Sequence, residues 1–148
     1  MEVHVRNARL TDLTAVARFI GADDAEAETG RDDVDYLRNL LFVPSATVVV
    51  AEVERRVVGV GVLAIRPSVR SGPFVGTVDE LGVERAAGLQ DADRARVGDE
   101  IVAQLAESAR NKGCTRVEVA EPLASAEPSL WERQGFANLG VTLGRSLV

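Results

Sequence analysis

The sequence predicts a mixed α/β fold, in which a mostly antiparallel sheet of six to seven strands is flanked by about four helices. Three observations predict it. Several short segments are β-branched or alternate between apolar and polar residues, two segments with helical apolar spacing precede the central strands, and one long amphipathic segment follows them. A run of antiparallel strands followed by a crossover helix is typical of a mixed sheet covered by helices.

The first third of the chain predicts one strand and two helices. Residues 3–8 form a short alternating segment, which is typical of an edge strand. Thr11 is an expected N-cap for a helix, and a second helix is expected to begin at Asp32 or Asp33. The polar stretch 21–35 lies around the start of that second helix, and it predicts a mobile loop or an irregular helix.

The middle of the chain predicts a hairpin followed by a third strand. Residues 47–53 are strongly β-branched, and residues 57–65 supply the partner strand after the polar turn 54–56. Residues 74–83 then form another strand pattern. These three segments predict the centre of the sheet.

The last part of the chain predicts a long helix and the remaining strands. A polar loop is expected from residue 84 to about 96, and the apolar spacing predicts a helix that runs from Val97 to a C-cap at Gly113. A buried strand follows at residues 115–120, and a short helix at 129–134. Residues 136–148 are expected to form a terminal strand pair or hairpin.

Composition and charge set broad limits on the function. The 148 residues fit one domain, assigned here to residues 1–148, and 46% apolar with 27% charged residues is an ordinary globular balance. The formal net charge of −6, without clusters of lysine and arginine, argues against nucleic acid as a partner. An acidic surface suits a cationic ligand such as an amine, although it suits plain solubility equally well.

No feature of the sequence indicates a membrane or an oxidising compartment. The chain lacks an uninterrupted apolar stretch of about 18 residues, and its first residues do not resemble a signal peptide. The single cysteine cannot form an internal disulfide bond. We therefore expect a soluble, cytoplasmic protein that does not bind membranes.

Few residues offer nucleophilic or metal chemistry. His4 is the only histidine, and it is expected at the surface or at a strand end. Cys114 is expected to be a small buried thiol at the junction between a helix and a strand. One histidine and one cysteine cannot build a zinc site, so no metal is expected. The function must rest on other groups.

Three motifs occur in a common register along the chain. The first is Val78-Asp79-Glu80-Leu81-Gly82-Val83, followed by a loop and by Val97-Gly98 at the expected helix start. The second is Ala109-Arg110-Asn111-Lys112-Gly113-Cys114, and the third is Leu130-Trp131-Glu132-Arg133-Gln134-Gly135-Phe136. Together with the order of elements, they resemble the GNAT superfamily of acyl-CoA-dependent N-acyltransferases over nearly the whole chain.

The resemblance implies transfer of an acetyl or other acyl group from coenzyme A to a small-molecule or protein amine by direct attack. Acetyl-CoA would be the co-substrate, and no metal is implied. In the family, a strand leads into a pyrophosphate-binding turn of the form Gln/Arg-x-x-Gly-x-Gly/Ala, where backbone N–H groups hold the phosphates. The resemblance places cofactor binding at Leu81, Gly82, Val83, Arg94, Arg96, Val97, Gly98, Asp99 and Trp131.

The acceptor side of the site would contain the catalytic base. The resemblance places Glu80 first and Asp79 second in this role, because their strand would border the amine. Neighbouring residues of a regular strand point to opposite faces, so at most one of them is expected to face the cleft. A solvated or salt-bridged carboxylate is the alternative for both. Tyr36 is a further candidate for lining the acceptor pocket.

Some residues depart from the family's pattern. In the register that keeps Gly98 at the last glycine of the turn, Asp93 replaces Gln or Arg and Arg96 replaces the central glycine. Asp99 would repel a pyrophosphate, which Arg94 and Arg96 could offset. Trp131 replaces the tyrosine that protonates the leaving thiolate in many members, and an indole N–H cannot do this.

Two other functions therefore stay open. One is a catalytically inactive GNAT-fold binding or regulatory module. The other is an interaction module whose resemblance to the family is accidental, and this would lack a splay between the strands at 74–83 and 115–120. The acceptor and the acyl chain length are not specified by the sequence. The C-terminal strands offer a surface for a homodimer.

Overall fold

The computed structural model describes residues 1–20, 30–85 and 89–148. Within them, five strands form one sheet: β1 (His4–Asn7), β2 (Ala46–Val53), β3 (Arg56–Pro67), β4 (Phe74–Val83) and β5 (Cys114–Val119). Five α-helices accompany the sheet: α1 (Leu13–Phe19), α2 (Gly30–Leu40), α3 (Asp91–Asn111), α4 (Leu123–Ala126) and α5 (Pro128–Arg133). A 3-10 turn, Leu10–Asp12, precedes α1.

The predicted mixed α/β class is confirmed, but the predicted number of six to seven strands is wrong for the described residues. The missing strands are those expected at 136–148, where residues 137–148 have no regular secondary structure and lie outside the sheet. Their apolar alternation is a genuine strand pattern, but a strand also needs a hydrogen-bonding partner, which this tail lacks within its own described chain. A fifth helix, α4, was not predicted.

Two helix starts also differ from the prediction. Thr11 lies within the 3-10 turn rather than at an N-cap, because that turn extends directly into α1. The helix α2 begins at Gly30, a few residues before the predicted start at Asp32 or Asp33. Most of the loop predicted at 21–35 falls on residues 21–29, which lie outside the described residues. The assignment of residues 1–148 to one domain stays a prediction.

The sheet has the order β1-β2-β3-β4-β5, with antiparallel neighbours except for the parallel pair β4 and β5. The two central residues of the β2–β3 turn, Glu54 and Arg55, both have positive φ, as a two-residue type I′ hairpin requires. The helix α3 is the crossover between the parallel strands, which places its first turn near the end of β4.

The two faces of the sheet are covered by different helices. Valines at alternate positions of β2 and β3 pack against α1 and α2 on one face, and these include Val48, Val50 and Val62. On the other face, Val49 and Leu63 pack against α3 and α5. Both faces of the β-branched strands are therefore buried, because helices cover the sheet on each side.

The helix α3 lies unusually close to β3. A Cβ atom on Gly61 would come within 2.5 Å of a methyl carbon of Ile101, so a side chain here would push the helix off the sheet. The helix begins at Asp91, not at Val97 as predicted, and its N-cap is the extended residue Gln90. The first residues of the helix, 91–96, are mostly polar, so they carry no apolar periodicity from which a helix could be predicted.

A cluster of buried charges connects the first strand to its neighbours. Arg6 donates from Nη1 and Nη2 to the two carboxylate oxygens of Asp12, at 2.7 and 3.0 Å, and from Nε to Glu52 at 2.8 Å. The Asp12 side chain is only 8% exposed. The hydrogen bonds from Arg6 hold the pKa of Asp12 below its usual value, against the opposing effect of burial.

The sequence predicts neither a membrane-spanning segment nor a metal site. The described part of the chain contains no helix that is long and apolar enough to cross a membrane. Among the described residues, no group of three or more histidine, cysteine, aspartate or glutamate side chains could hold a metal ion. The cytoplasmic location stays a prediction.

Candidate functional site

A cleft of about 530 Å³ lies between the end of β4 and the helices α1, α3, α4 and α5. We call it the β4–α3 cleft. Its walls combine backbone of the strand end with apolar and arginine side chains: Arg18, Phe19, Leu81, Gly82, Val83, Glu84, Arg85, Arg94, Gly98, Leu123, Ala126, Glu127, Leu130 and Trp131. A concave apolar site with a few polar groups is typical of ligand binding.

The strands β4 and β5 separate beside this cleft. Their pairing ends at Val78 and Val119, while β4 continues to Val83 on its other side as the partner of β3. Glu84 donates its N–H to the carbonyl oxygen of Val58 on β3 at 2.8 Å. Because backbone groups of successive strand residues alternate in direction, the N–H and C=O groups of Leu81 and Val83 point away from β3, into the cleft.

The cleft concentrates positive charge in a chain of net charge −6. Arg18, Arg85 and Arg94 line it. Of the two carboxylates in its walls, Glu84 is neutralised by Arg56 at 2.6 Å, which leaves Glu127. Arg94 is held in place by donating its Nε–H to the carbonyl oxygen of Glu84 at 2.9 Å. The local excess of arginine suits an anionic group, for which a guanidinium is a strong partner.

The early start of α3 changes the role of several predicted residues. Arg96 is outside the cleft wall and donates to the carbonyl oxygen of Met1 at 2.6 Å, so it was wrongly predicted to face the phosphates. Val97 is fully buried in the core. Asp99 forms an ion pair with Arg133 at 3.2 Å, which compensates the charge that was expected to repel an anion. The contacts that Arg96, Val97 and Asp99 make in the folded chain, rather than their residue types, determine whether each can contact a ligand.

Gly98 lines the cleft from inside α3, more than one turn from its first residue. Its N–H is consumed by the helix, so the predicted backbone donation to a phosphate at Val97 and Gly98 does not fit this geometry. A Cβ atom at this position would meet only the Leu130 methyl carbons, at 3.7 and 3.9 Å, which is an ordinary contact. The protein's own packing therefore does not require glycine here.

Replacing Gly98 by alanine is expected to stabilise the fold and weaken ligand binding. Glycine in a helix interior costs about 1 kcal/mol relative to alanine, and the added methyl group fits the protein. The same methyl group projects into the cleft wall. Thermal unfolding should show a raised Tm, and calorimetric titration with acetyl-CoA should show weaker binding than wild type. Unchanged affinity would mean that the ligand does not approach α3 at this point.

Trp131 lies at the apolar end of the cleft and is 5% exposed. Its Nε1–H donates to the carbonyl oxygen of Leu123 at 2.9 Å, and its ring packs edge to face on Phe136 with centroids 5.1 Å apart. The indole therefore anchors α4 to α5 and forms part of the wall. Its one N–H group is already used, in agreement with the prediction that it cannot protonate a leaving group.

Asp79 and Glu80 lie at an irregularity in β4. Val62 of β3 pairs with Glu80, while the next residue, Leu63, pairs with Val78, so Asp79 is the extra residue of a β-bulge. Glu80 therefore shares the face of Val62, and Asp79 lines a cavity together with Val62. The bulge interrupts the strict alternation on which the prediction for these two carboxylates depended, and that at most one of them faces the site stays a prediction.

The environment of Glu80 perturbs its ionisation. The side chain is half-buried, and loss of solvent raises the pKa of Glu80 above its usual value. The neighbouring charge of Asp79 adds to the effect in the same direction. A carboxylate with a raised pKa is a better proton acceptor at neutral pH than an ordinary one, and such groups concentrate at functional sites.

A second, smaller cavity of about 270 Å³ adjoins Asp79 on the face covered by α2. We call it the α2 cavity. Its walls are mostly apolar, with Asp79 as the one charged residue among them, and they include Asn39 and the exposed Tyr36 of the same helix. Glu80 lies in the chain between Asp79, which lines this cavity, and Leu81, which lines the β4–α3 cleft.

The remaining candidate residues, His4 and Cys114, have the structural rather than catalytic roles that were predicted. His4 is exposed on β1. Cys114 is partly buried at the start of β5, and burial raises the pKa of its thiol, which disfavours the reactive thiolate. Sequence reasoning missed Arg18 and Arg85. Arg85 directly follows the β4 motif, which is a local signal, whereas Arg18 reaches the cleft only through tertiary packing of α1.

Comparisons with known proteins agree with the fold. Residues 13–136 match the model of the Acetyltransferase (GNAT) family. No curated protein sequence matches the chain. The predicted resemblance to this family is confirmed by the model match, which covers well over half of the chain.

Solved structures of similar fold span the whole chain. An acetyltransferase from Trypanosoma brucei has a TM-score of 0.74 at 21% identity, covering 99% of this chain and 100% of that one. A ribosomal-protein-alanine N-acetyltransferase from Brucella melitensis biovar Abortus gives 0.74 at 20%, with the same coverage. An aminoglycoside N-acetyltransferase in complex with CoA gives 0.77 at 15%, covering 99% and 96%. At these identities the likeness concerns the fold.

Proposed function

This chain belongs to the acetyltransferase (GNAT) family, and on that premise we propose that it transfers an acetyl or other acyl group from coenzyme A to an amine by direct attack. The observation that carries the proposal is the free edge of β4, where the backbone groups of Leu81 and Val83 face a cleft lined by three arginines. This geometry also argues against an accidental resemblance, because the strands β4 and β5 separate as the family's binding mode requires.

The β4–α3 cleft fits coenzyme A in its chemistry. The pantetheine arm carries amide groups that can pair with the free edge of β4, as an added strand would. The diphosphate carries negative charge that Arg85 and Arg94 can bind. Gly98 leaves room for close approach. An aminoglycoside N-acetyltransferase of similar fold has been solved in complex with CoA, which supports coenzyme A as the ligand.

A second stretch of the sequence can be aligned with the family's diphosphate-binding turn. Arg85-Ala86-Ala87-Gly88-Leu89-Gln90 retains the arginine and the central glycine of the family's pattern, and it ends directly before the first residue of α3. Residues 86–88 lie outside the described residues. The register at Asp93–Gly98 instead falls within the helix, where the backbone N–H groups after the first turn are already bonded.

The chemistry of the chain's own residues follows from this placement. Glu80, with its raised pKa, would accept the proton that an ammonium group must lose before it attacks. The free N–H of Leu81 would donate to the carbonyl oxygen on which negative charge develops. Acyl-CoA would supply the acyl group and the thiolate that leaves. The new N–C bond replaces the C–S bond, and water protonates the thiolate, since Trp131 cannot.

The acceptor amine is proposed to bind in the α2 cavity. Its single carboxylate, Asp79, attracts a cation, and its apolar walls favour an acceptor with an apolar body. Tyr36 and Asn39 add polar groups at the rim. Both a small-molecule amine and the terminal amine of a protein fit this chemistry, and the acyl chain length is equally open.

A second candidate is a catalytically inactive binding module. It is favoured by Trp131, whose N–H is committed to Leu123, and by Arg96, which faces away from the cleft. Such a module would bind acyl-CoA without turning it over. The two candidates therefore differ in one observable, the release of the thiol.

The test is an assay of thiol release from acetyl-CoA with a panel of primary amines. The proposed enzyme releases thiol at a rate that depends on one or more amines, and the acetylated amine is found by mass spectrometry in equal amount. An inactive module binds acetyl-CoA in a parallel calorimetric titration but releases no thiol with any amine. Absence of both binding and release would remove the proposed function.

A further inference from the structure

The row of valine pairs on one face of the sheet ends at a pair of alanines. Val48 of β2 lies opposite Val62 of β3, and both are buried in the cluster that packs against α1 and α2. The next pair on the same face is Ala46 opposite Ala64. Alanine lacks the branched methyl groups of valine. The space that a third valine pair would fill is therefore left open, and Ala64 is exposed.

That open space is part of the α2 cavity of about 270 Å³. Both alanines line it, together with Leu40 at the end of α2 and Val43 shortly after it. An apolar cavity of about 150 Å³ is large enough to hold benzene. The α2 cavity therefore has room for one ring or one branched alkyl group on a short linker, and its walls suit a compact apolar body.

The charge of the cavity lies on its β4 side. Asp79 is the one charged residue in the described walls, and none of these wall residues is basic. Asp79 is separated from Ala64 by one strand spacing and fewer than two residues along β3, which corresponds to about 7 Å. A second ammonium group on the ligand would lie against apolar walls, where its desolvation is uncompensated. The cavity therefore favours a ligand with one positive charge.

The position of Asp79 brings the charged end of such a ligand to the proposed base. Glu80 is the next residue of β4, so an ammonium group that pairs with Asp79 lies beside Glu80 as well. The amine that is bound would then be the amine that reacts. A second amine is not needed as an anchor, in agreement with the single carboxylate of the walls.

Apolar side chains are exposed around the mouth of the cavity. Tyr36 and Val43 line it, and they are 66% and 39% exposed. An aromatic ring and a branched side chain left in water beside a pocket are typical of a site that an apolar ligand covers. The ring of Tyr36 offers such a ligand an aromatic contact, which is stronger than the burial of its area alone.

We propose that the acceptor is a monoamine with a compact apolar body, of the size of 2-phenylethylamine, and that the alanine pair Ala46 and Ala64 determines this specificity. The inference rests on the proposed acyl transfer and narrows the acceptor within it. Asp79 holds the ammonium group, and the apolar body occupies the space above the alanines. The reaction is the same exchange of a C–S bond for an N–C bond. Polyamines and peptides are poorer acceptors, because they carry a second charge or a longer chain.

The test measures kcat/KM for thiol release from acetyl-CoA with 2-phenylethylamine, ethylamine, putrescine and the peptide Phe-Gly-Gly. The first amine should exceed each of the others at least about 10-fold, which is the effect of burying one ring. Ala64→Val fills the cavity, and small changes of volume in an apolar pocket alter kcat/KM by about 10-fold or more. This variant should therefore lose at least about 10-fold with 2-phenylethylamine, and less than about 3-fold with ethylamine.

Two further variants separate specificity from folding. Ala46→Val fills the same space from the opposite strand and should have the same effect as Ala64→Val. Because valine continues the neighbouring valine pairs, both variants are expected to keep or raise the Tm of wild type. Ala120→Val is the matched control. Ala120 is an exposed alanine after β5, outside the walls of both cavities, and its replacement should retain the wild-type preference.

The possible results distinguish this inference from the function on which it rests. A higher kcat/KM with putrescine or with the peptide would overturn the acceptor class, while acyl transfer to amines would stand. An undiminished preference for 2-phenylethylamine in both cavity variants would place the apolar body elsewhere. Equal losses with 2-phenylethylamine and ethylamine would contradict a role of the alanines in specificity. Thiol release with no amine at all would remove the proposed function and this inference together.

Discussion

Replacing Glu80 by glutamine is expected to lower kcat for acyl transfer by about 100-fold or more, because a positioned general base contributes that much and glutamine cannot accept a proton at neutral pH. The affinity for acetyl-CoA should change little, since the side chain lies on the face of Val62 and is outside the wall of the β4–α3 cleft. Steady-state kinetics and calorimetric titration of the same preparations check both expectations.

The pH dependence separates a base from a structural carboxylate. Activity of the wild type should rise with pH through the raised pKa of Glu80, because only the deprotonated form accepts a proton. Asp79→Asn removes the neighbouring charge that raises this pKa, so the acidic limb should move to lower pH. Wild-type kcat in Glu80→Gln, with the acidic limb retained, would place the base elsewhere.

Glu80→Gln should also raise the thermal stability of the fold. A carboxyl group whose pKa is raised in the folded state favours the protonated form there, so its ionised form opposes folding. The penalty is absent below the unfolded pKa of about 4.3 and fully present above the folded pKa. Glu80→Gln should therefore have a higher Tm than wild type at pH 8, with a gap that closes toward pH 4. A gap independent of pH would assign the effect to packing.

Replacing Arg6 by alanine is expected to destabilise the fold by about 3 kcal/mol, which corresponds to a fall in Tm of roughly 10 °C for a chain of this size. The substitution leaves the buried carboxylate of Asp12 and the partly buried one of Glu52 without their cation. It also removes the side-chain bonds from β1 to Asp12 and to Glu52 of β2. Urea unfolding at pH 7 measures the change.

An exposed ion pair supplies the control for Arg6. Arg110 pairs with Glu107 on the surface of α3, where both side chains are more than half exposed, and Arg110→Ala should cost less than about 0.5 kcal/mol. The pKa of Asp12 is lowered in the folded state, so its contribution is present above the usual pKa of about 3.9 and is lost as pH falls through the folded value. The deficit of Arg6→Ala should shrink accordingly in acid. Equal effects of the two substitutions would contradict a buried network.

The centre of the fold was predictable from the sequence because its signals are local. The β-branched runs of β2 and β3 and the turn between them determine the hairpin whatever the rest of the chain does, and the apolar spacing from Val97 onward identifies the buried face of α3. The family motifs added the location of the cleft.

The details of the site were not predictable because they depend on tertiary contacts. The bulge at Asp79 is visible only in the pairing of β4 with β3, so the alternation of residues along the sequence could not reveal it. The polar start of α3 at Asp91 carries no apolar pattern. Arg94 and Arg96 are the same residue type two positions apart, and only their directions on the helix distinguish a cleft arginine from one bonded to Met1.

That pair of arginines gives the most direct test of the central claim, which is that the β4–α3 cleft binds acyl-CoA. Acetyl-CoA should be titrated calorimetrically into wild type, Arg94→Gln and Arg96→Gln at moderate salt. We expect micromolar binding by wild type and by Arg96→Gln, and at least about 10-fold weaker binding by Arg94→Gln, since a charge-assisted contact is lost. No binding by wild type at millimolar ligand, or equal loss in both variants, would contradict the claim.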